Sequence, residues 1–123
     1  MNEELKKKNL IVQLTFDFAV TMVAFCETLE EKRKWALANQ ILRASLSIGA
    51  NVKEAQNAES KADFIHKMKI AAKEAEEVEF YLEVCDKSDK LPQCKELIEK
   101  VQSICRVLNK IIGSTKRLNS QVS

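Results

Sequence analysis

The 123-residue chain is 46% hydrophobic and 31% charged, sets 20 Lys and Arg against 18 Asp and Glu for a net charge of +2, and has two glycines and one proline. Average usage gives roughly fifteen glycines and prolines together at this length. The deficit excludes Gly-rich phosphate loops, many-stranded sandwiches and barrels, collagen-like repeats and Gly/Ser linkers, and leaves an all-α chain read as a single domain over residues 1–123.

The first helix is expected at about 5–29. Ile11, Leu14, Phe18, Met22, Phe25 and Leu29 recur at three-four spacing on one face. A second stripe, Val12, Phe16, Ala19, Val23 and Cys26, runs beside it. Adjacent stripes lie about 100° apart, so the apolar arc is wider than a helix of a monomeric bundle needs. Two-sided burial, with another subunit on one side, is the expectation; a fuller wrap by the other three helices is the alternative.

The second helix, about 35–57, follows a charged turn. Its stripe is Leu37, Ile41, Ala44, Ile48, Val52 and Ala55, flanked by the small residues Ser45, Ser47, Gly49 and Ala50. Gly49 interrupts no periodicity, so it reads as a close-packing position inside the helix. Ser60 with Asp63 three residues later resembles a capping box and opens the third helix, about 61–86. Phe64, Met68, Ala71, Ala75, Val78, Leu82 and Cys85 form its heptad stripe. Pro92 suits the first turn of the fourth helix, about 92–118, where its missing N–H is harmless. Leu97, Val101, Ile104, Leu108, Ile111, Thr115 and Leu118 complete the pattern. Short turns between such helices predict an up-down-up-down antiparallel four-helix bundle.

Little in the sequence points to catalysis. His66 is the lone histidine; with Asp63 it makes at most half of a bundle di-iron site, and it reads as a surface residue. Glu74, Glu76, Glu77, Glu79 and Glu83 read as a solvated acidic face, with Lys73 placed to pair with Glu77. Cys26, Cys85, Cys94 and Cys105 show no metal spacing and read as reduced, buried thiols of a cytoplasmic protein, although Cys85 and Cys94 flank one turn and are placed to pair. No catalytic residue, metal or cofactor is expected. Gln13 and Asp17 break the apolar run from Leu10, so neither a targeting segment nor a membrane partner is expected.

Positive charge is uneven. Beyond Glu99 there is no acidic residue, and Lys100, Arg106, Lys110, Lys116 and Arg117 give the last 24 residues a charge of +5. Lys32, Arg33 and Lys34 form a second cluster in the first turn. The bundle places the two clusters at opposite ends. Lys32, Arg33, Lys34, Lys110, Lys116 and Arg117 are therefore the candidate nucleic-acid-binding residues.

Arg43, the run Ser47-Ile48-Gly49-Ala50-Asn51-Val52 with Glu54-Ala55, then Lys73-Glu74-Ala75 and Glu79-Phe80-Tyr81-Leu82 resemble the signature of a known family. It comprises the four-helix-bundle proteins encoded in 23S ribosomal RNA intervening sequences, also called S23 ribosomal proteins. Tyr81 stands where relatives have Trp, and Ser45 where many have Gly. The resemblance implies a four-helix bundle assembled as a ring-like homopentamer. The family is in turn similar to the accessory protein of diversity-generating retroelements, a basic pentameric barrel that binds nucleic acid and a reverse transcriptase. Read physically, Arg43, Asn51, Glu54, Lys73 and Glu74 are expected to form a buried polar network between the second and third helices. The functional expectation is a non-enzymatic oligomeric bundle that binds RNA or DNA through its basic ends. The alternative is a structural or adaptor protein that binds another protein.

Overall fold

The computed structural model describes the backbone of residues 3–122 and the side chains of residues 10–118. The described chain is all-α: α1 (Glu3–Glu31), α2 (Trp35–Ala55), α3 (Lys61–Lys87) and α4 (Lys95–Val122). Each helix packs on its neighbour in the chain, and α4 closes back on α1 along the sparsest seam; neither α1 with α3 nor α2 with α4 makes close backbone contact. This is the packing of a bundle.

The stripes fix what faces inward. Every member of the α3 stripe from Phe64 to Cys85 is buried. So are Ile41, Ala44, Ile48, Val52 and Ala55 of α2, and Val101, Ile104, Leu108, Ile111 and Thr115 of α4. From α1 come Ile11, Phe18, Met22, Phe25 and Leu29. Each large side chain so buried is worth about 1.5–3 kcal/mol against exposure. The second α1 stripe behaves differently: Cys26 is buried, Val12 and Ala19 are half-buried, and Phe16 and Val23 are exposed.

Local chemistry sets the helix ends. Ser60 is the α3 N-cap, its Oγ accepting from the Asp63 N–H at 3.0 Å. The reciprocal bond is displaced by one residue, because Asp63 Oδ2 accepts from Glu59 N–H rather than from Ser60. Helix α4 starts at Lys95, not at Pro92. Asp86 Oδ1 accepts from the Cys94 N–H at 3.0 Å, and the Cys94 carbonyl accepts the first helical bond from Ile98. That contact holds Pro92 in the loop ahead of the helix.

Both glycines lie within helices at ordinary φ. A Cβ on Gly49 would stand 3.5 Å from the Thr15 carbonyl oxygen, an ordinary contact. The α1–α2 approach therefore leaves room for alanine, contrary to a strict close-packing role. One turn earlier, fully buried Ser45 carries an Oγ without a hydrogen-bond partner. Thr15, equally buried, donates instead to its own helix at Ile11 O, 2.8 Å away.

Cys26, Cys85 and Cys94 are buried free thiols. Cys94 Sγ donates to the Leu82 carbonyl at 3.0 Å. Burial, with Glu30 and Cys85 nearby, pushes the Cys26 thiol up to about 11. Burial raises Cys85 as well, and burial with Cys85 and Asp86 takes Cys94 to about 11. Cys105, half-buried on α4, reaches about 11 through burial and the carboxylates of Glu79 and Glu76.

Two outcomes are expected. Ser45→Ala removes a desolvated hydroxyl with no partner and should raise unfolding free energy by about 1 kcal/mol, read from urea denaturation; a loss of stability would show that the hydroxyl is satisfied. The raised thiols bind protons more tightly folded than unfolded. Their stabilisation is complete below about pH 9 and lost as pH climbs toward about 11. Denaturation midpoints should fall across that window, and less steeply in Cys26→Ala.

Candidate interaction surfaces

The exposed part of the second α1 stripe, with Val20 beside it, forms an apolar strip on the surface. Phe16 is 60% exposed, Val20 57% and Val23 41%; Leu46 of α2 joins them at 46%. They border a groove of about 390 Å³ between α1 and α2, floored by Gly49 and Ala50, with Gln13 and Lys53 also in its lining. The small α2 residues of the signature thus face α1 and keep the groove open. Single exposed apolar residues are ordinary, but contiguous ones mark contact surfaces. The sequence foresaw Phe16 and Val23; Val20 and Leu46 lie off both stripes and carried no such signal.

Helix α1 also bears on the membrane expectation. Gln13 and Asp17 do not lower its hydropathy enough: an 18-residue window within Leu10–Glu31 is, by length and composition alone, apolar enough to cross a membrane. Only 28% of that window is buried within the fold. Its inner face is nevertheless a wall of the core, through Ile11, Phe18, Met22 and Leu29.

A separate apolar ridge stands on α3. Phe80 is 62% exposed and Val84 41%, one turn apart, with the Phe80 ring edge-on to Tyr81 at 5.9 Å. Phe80 lies two residues from both Val78 and Leu82 of the core stripe, which turns it away from the interior.

The first basic cluster closes α1. Arg33 N–H donates to the Glu30 carbonyl and Lys34 N–H to the Leu29 carbonyl, the two bonds of a Schellman motif. The left-handed residue of that motif is Arg33, at φ 62°, where glycine is usual; a side chain there costs about 1 kcal/mol. Lys34 then serves as the α2 N-cap without a side-chain cap bond and without an acidic residue in the first turn. A cation there opposes the helix dipole. Lys90, in the α3–α4 loop, is also left-handed at φ 70°. Lys32, Lys34 and Lys90 share the lining of a cleft of about 640 Å³ with Leu37, Val84, Ser88, Asp89 and Leu91. Lys90 belongs to this basic end and was missed, because only folding brings its loop beside the first turn.

The other cluster, Lys110, Lys116 and Arg117, is exposed on the last turns of α4. Arg117 donates to Ser114 Oγ at 3.2 Å. Lys116 is held below the ordinary lysine range by the ammonium of Lys69 on α3 beside it. The α4 end lies next to the α2–α3 turn, where Thr115 and Leu118 line a cavity with Ala58, Ser60 and Lys61.

The expected buried network of Arg43, Asn51, Glu54, Lys73 and Glu74 does not form as one unit. Arg43 is 54% exposed and reaches Glu74 and Glu77, each at 3.4 Å. Glu54 pairs with Lys67 at 3.1 Å instead. Asn51 turns back along its own helix to Ser47, donating to the carbonyl at 2.9 Å and to Oγ at 3.1 Å. Lys73 is exposed and outside these pairs. The physical reason is helical phase: these residues flank the buried stripe rather than entering it. Exposed pairs of this kind are worth about 0–1 kcal/mol each. Glu79, also in the acidic run, is engaged on the opposite side by Gln102 of α4 at 2.9 Å. His66 is exposed, and among the described residues no three His, Cys, Asp or Glu side chains gather as a metal site.

Comparison with known proteins agrees with this architecture. The profile of the 23S rRNA-intervening sequence protein family matches residues 7–110. A crystal structure from Bacteroides thetaiotaomicron, described as a protein of unknown function from the S23 ribosomal protein family, is 36% identical; the match covers 87% of this chain and 98% of that one, with a TM-score of 0.80. No protein of curated function matches significantly.

Proposed function

We propose that this chain, which belongs to the 23S rRNA-intervening sequence protein family, is a non-enzymatic assembly module: an up-down-up-down bundle that forms a ring-like homo-oligomer through its α1–α2 groove and binds RNA or DNA through its basic ends. The exposed strip of Phe16, Val20, Val23 and Leu46 carries the assembly reading. Half-exposed side chains of this size gain about 1 kcal/mol each on burial. The α3 ridge of Phe80 and Val84 supplies an apolar partner elsewhere on the same chain. A groove on one copy meeting a ridge on the next is a head-to-tail contact, which closes into a ring when the rotation permits. Five subunits is the number the family resemblance implies. The antiparallel direction is supported by the ion pairs: Glu54, late in α2, meets Lys67, early in α3, whereas the earlier Arg43 meets the later Glu74 and Glu77.

Nucleic-acid binding draws its support from the cations at the two ends. A net charge of +2 per chain is small, but a ring repeats each cluster around its axis and raises the local potential. An adaptor role is the competing outcome, in which the groove or the ridge receives another protein.

Mass under native conditions tests the assembly. A multiple of 14.0 kDa is expected, and Phe16→Asp with Val20→Asp should give a helical monomer; a monomeric wild type overturns the ring. Binding of RNA read by fluorescence anisotropy should weaken with salt and be largely lost in Lys110→Glu, Lys116→Glu, Arg117→Glu. Binding indifferent to both salt and these changes overturns the electrostatic reading.

A further inference from the structure

The cleft between the first turn and the α3–α4 loop brings together three lysines from two segments of chain, Lys32 and Lys34 from one and Lys90 from the other. At about 640 Å³ it has the size of a small-ligand site. Its apolar lining is Leu37, Val84 and Leu91; its polar lining adds Ser88 and the carboxylate of Asp89. Ser88 Oγ is already donating to the Val84 carbonyl, so it faces a ligand only as an acceptor.

Two of these lysines occupy positions that local structure disfavours. Lys34 caps α2 where Ser or Asp would bond the free N–H groups. Lys90 takes a left-handed conformation suited to glycine. The intervening Arg33 does the same. When several local rules fail around one cavity, a function that needs those side chains is the physical account.

We propose that this cleft binds the phosphate group of a nucleotide, free or within an RNA strand, with Lys32, Lys34 and Lys90 on the phosphate and Leu37 and Leu91 against the base. Lysines act here as flexible point charges, which suits a phosphate approached from several directions. Asp89 is the acceptor for a sugar hydroxyl or an exocyclic amine. In the form where the phosphate belongs to a strand, the proposal deepens the nucleic-acid reading and rests on it; in the free-nucleotide form it does not.

Titration of the full chain with adenosine monophosphate and with a short oligouridylate tests it, each by calorimetry and by backbone amide shifts. The wild type should bind at least one probe, with shifts at residues lining the cleft. Lys32→Gln, Lys34→Gln, Lys90→Gln should weaken that probe by at least about tenfold, and for the strand flatten the salt slope by about 0.7 for each phosphate no longer neutralised. Lys73→Gln, at an exposed lysine outside the cleft and both basic clusters, should leave adenosine monophosphate binding unchanged. Lys34→Ser with Lys90→Gly should lose binding while melting higher, an outcome that a purely structural role of these lysines does not give. Binding of the mononucleotide without the strand keeps the cleft and overturns the nucleic-acid reading. Strand binding abolished only by changes at the α4 end does the reverse. Binding of neither probe, or unaltered binding in the cleft variant, overturns the proposal.

Discussion

The apolar strip on the surface of this molecule follows from one constraint on α1. Its two apolar stripes span more of the helix circumference than its two neighbours, α2 and α4, can cover. Ile11, Phe18, Met22 and Leu29 take the interior, and the seam with α4 is the sparsest of the four. Phe16, Val20 and Val23 are then left on the outside, with Leu46 across the groove. Rotating α1 to bury them would bring its present core residues out by the same angle. The exposure is a consequence of sequence phase, and no local adjustment removes it.

The rest of the surface divides by how strongly each side chain is held. Arg43 and Glu54 are long and exposed and Lys67 is half-buried, and their ion pairs add little to stability. They tie α2 to α3 at positions where the apolar stripes already do so. The tightly specified polar contacts lie elsewhere: Ser60 at the start of α3, and Asp86 on the Cys94 amide. Each satisfies a backbone donor that the fold would otherwise leave free. The family signature is therefore a mixture of packing residues, such as Ile48 and Val52, and flanking residues whose retention the ion pairs alone do not require.

The helices and their buried faces were legible because the apolar spacing is regular over five or more turns, as in the α3 run from Phe64 to Cys85. Ser60 was legible because a capping residue and its helix are neighbours in sequence. The start of α4 was not: Pro92 promised a first turn, but the Asp86 carboxylate, eight residues before Cys94, moves the cap to Cys94. The polar network was misread for a related reason. Asn51 and Glu54 lie near the stripe in sequence, but their side chains reach Ser47 and Lys67 along the flank. Of the two basic ends, Lys32 and Lys34 were visible as a run, whereas Lys90 is isolated in sequence and joins them only across the cleft.

The placement of glycine draws the two halves of the surface together. The chain has two glycines, and both lie in helices, at positions where alanine meets only ordinary contacts or the flexible end of Arg117. Among the described residues the two left-handed ones are Arg33 and Lys90. Stability alone would favour the reverse arrangement, since alanine extends helices better and glycine turns more easily. Gly49 lines the groove between α1 and α2, where a Cβ would meet the Thr15 backbone in ordinary contact, so its retention has no packing cause within the chain. Arg33 and Lys90 make sense as charge retained at the bundle end at the expense of backbone strain. In both places local stability gives way on the surface rather than in the core, and at the positions where a second molecule would make contact.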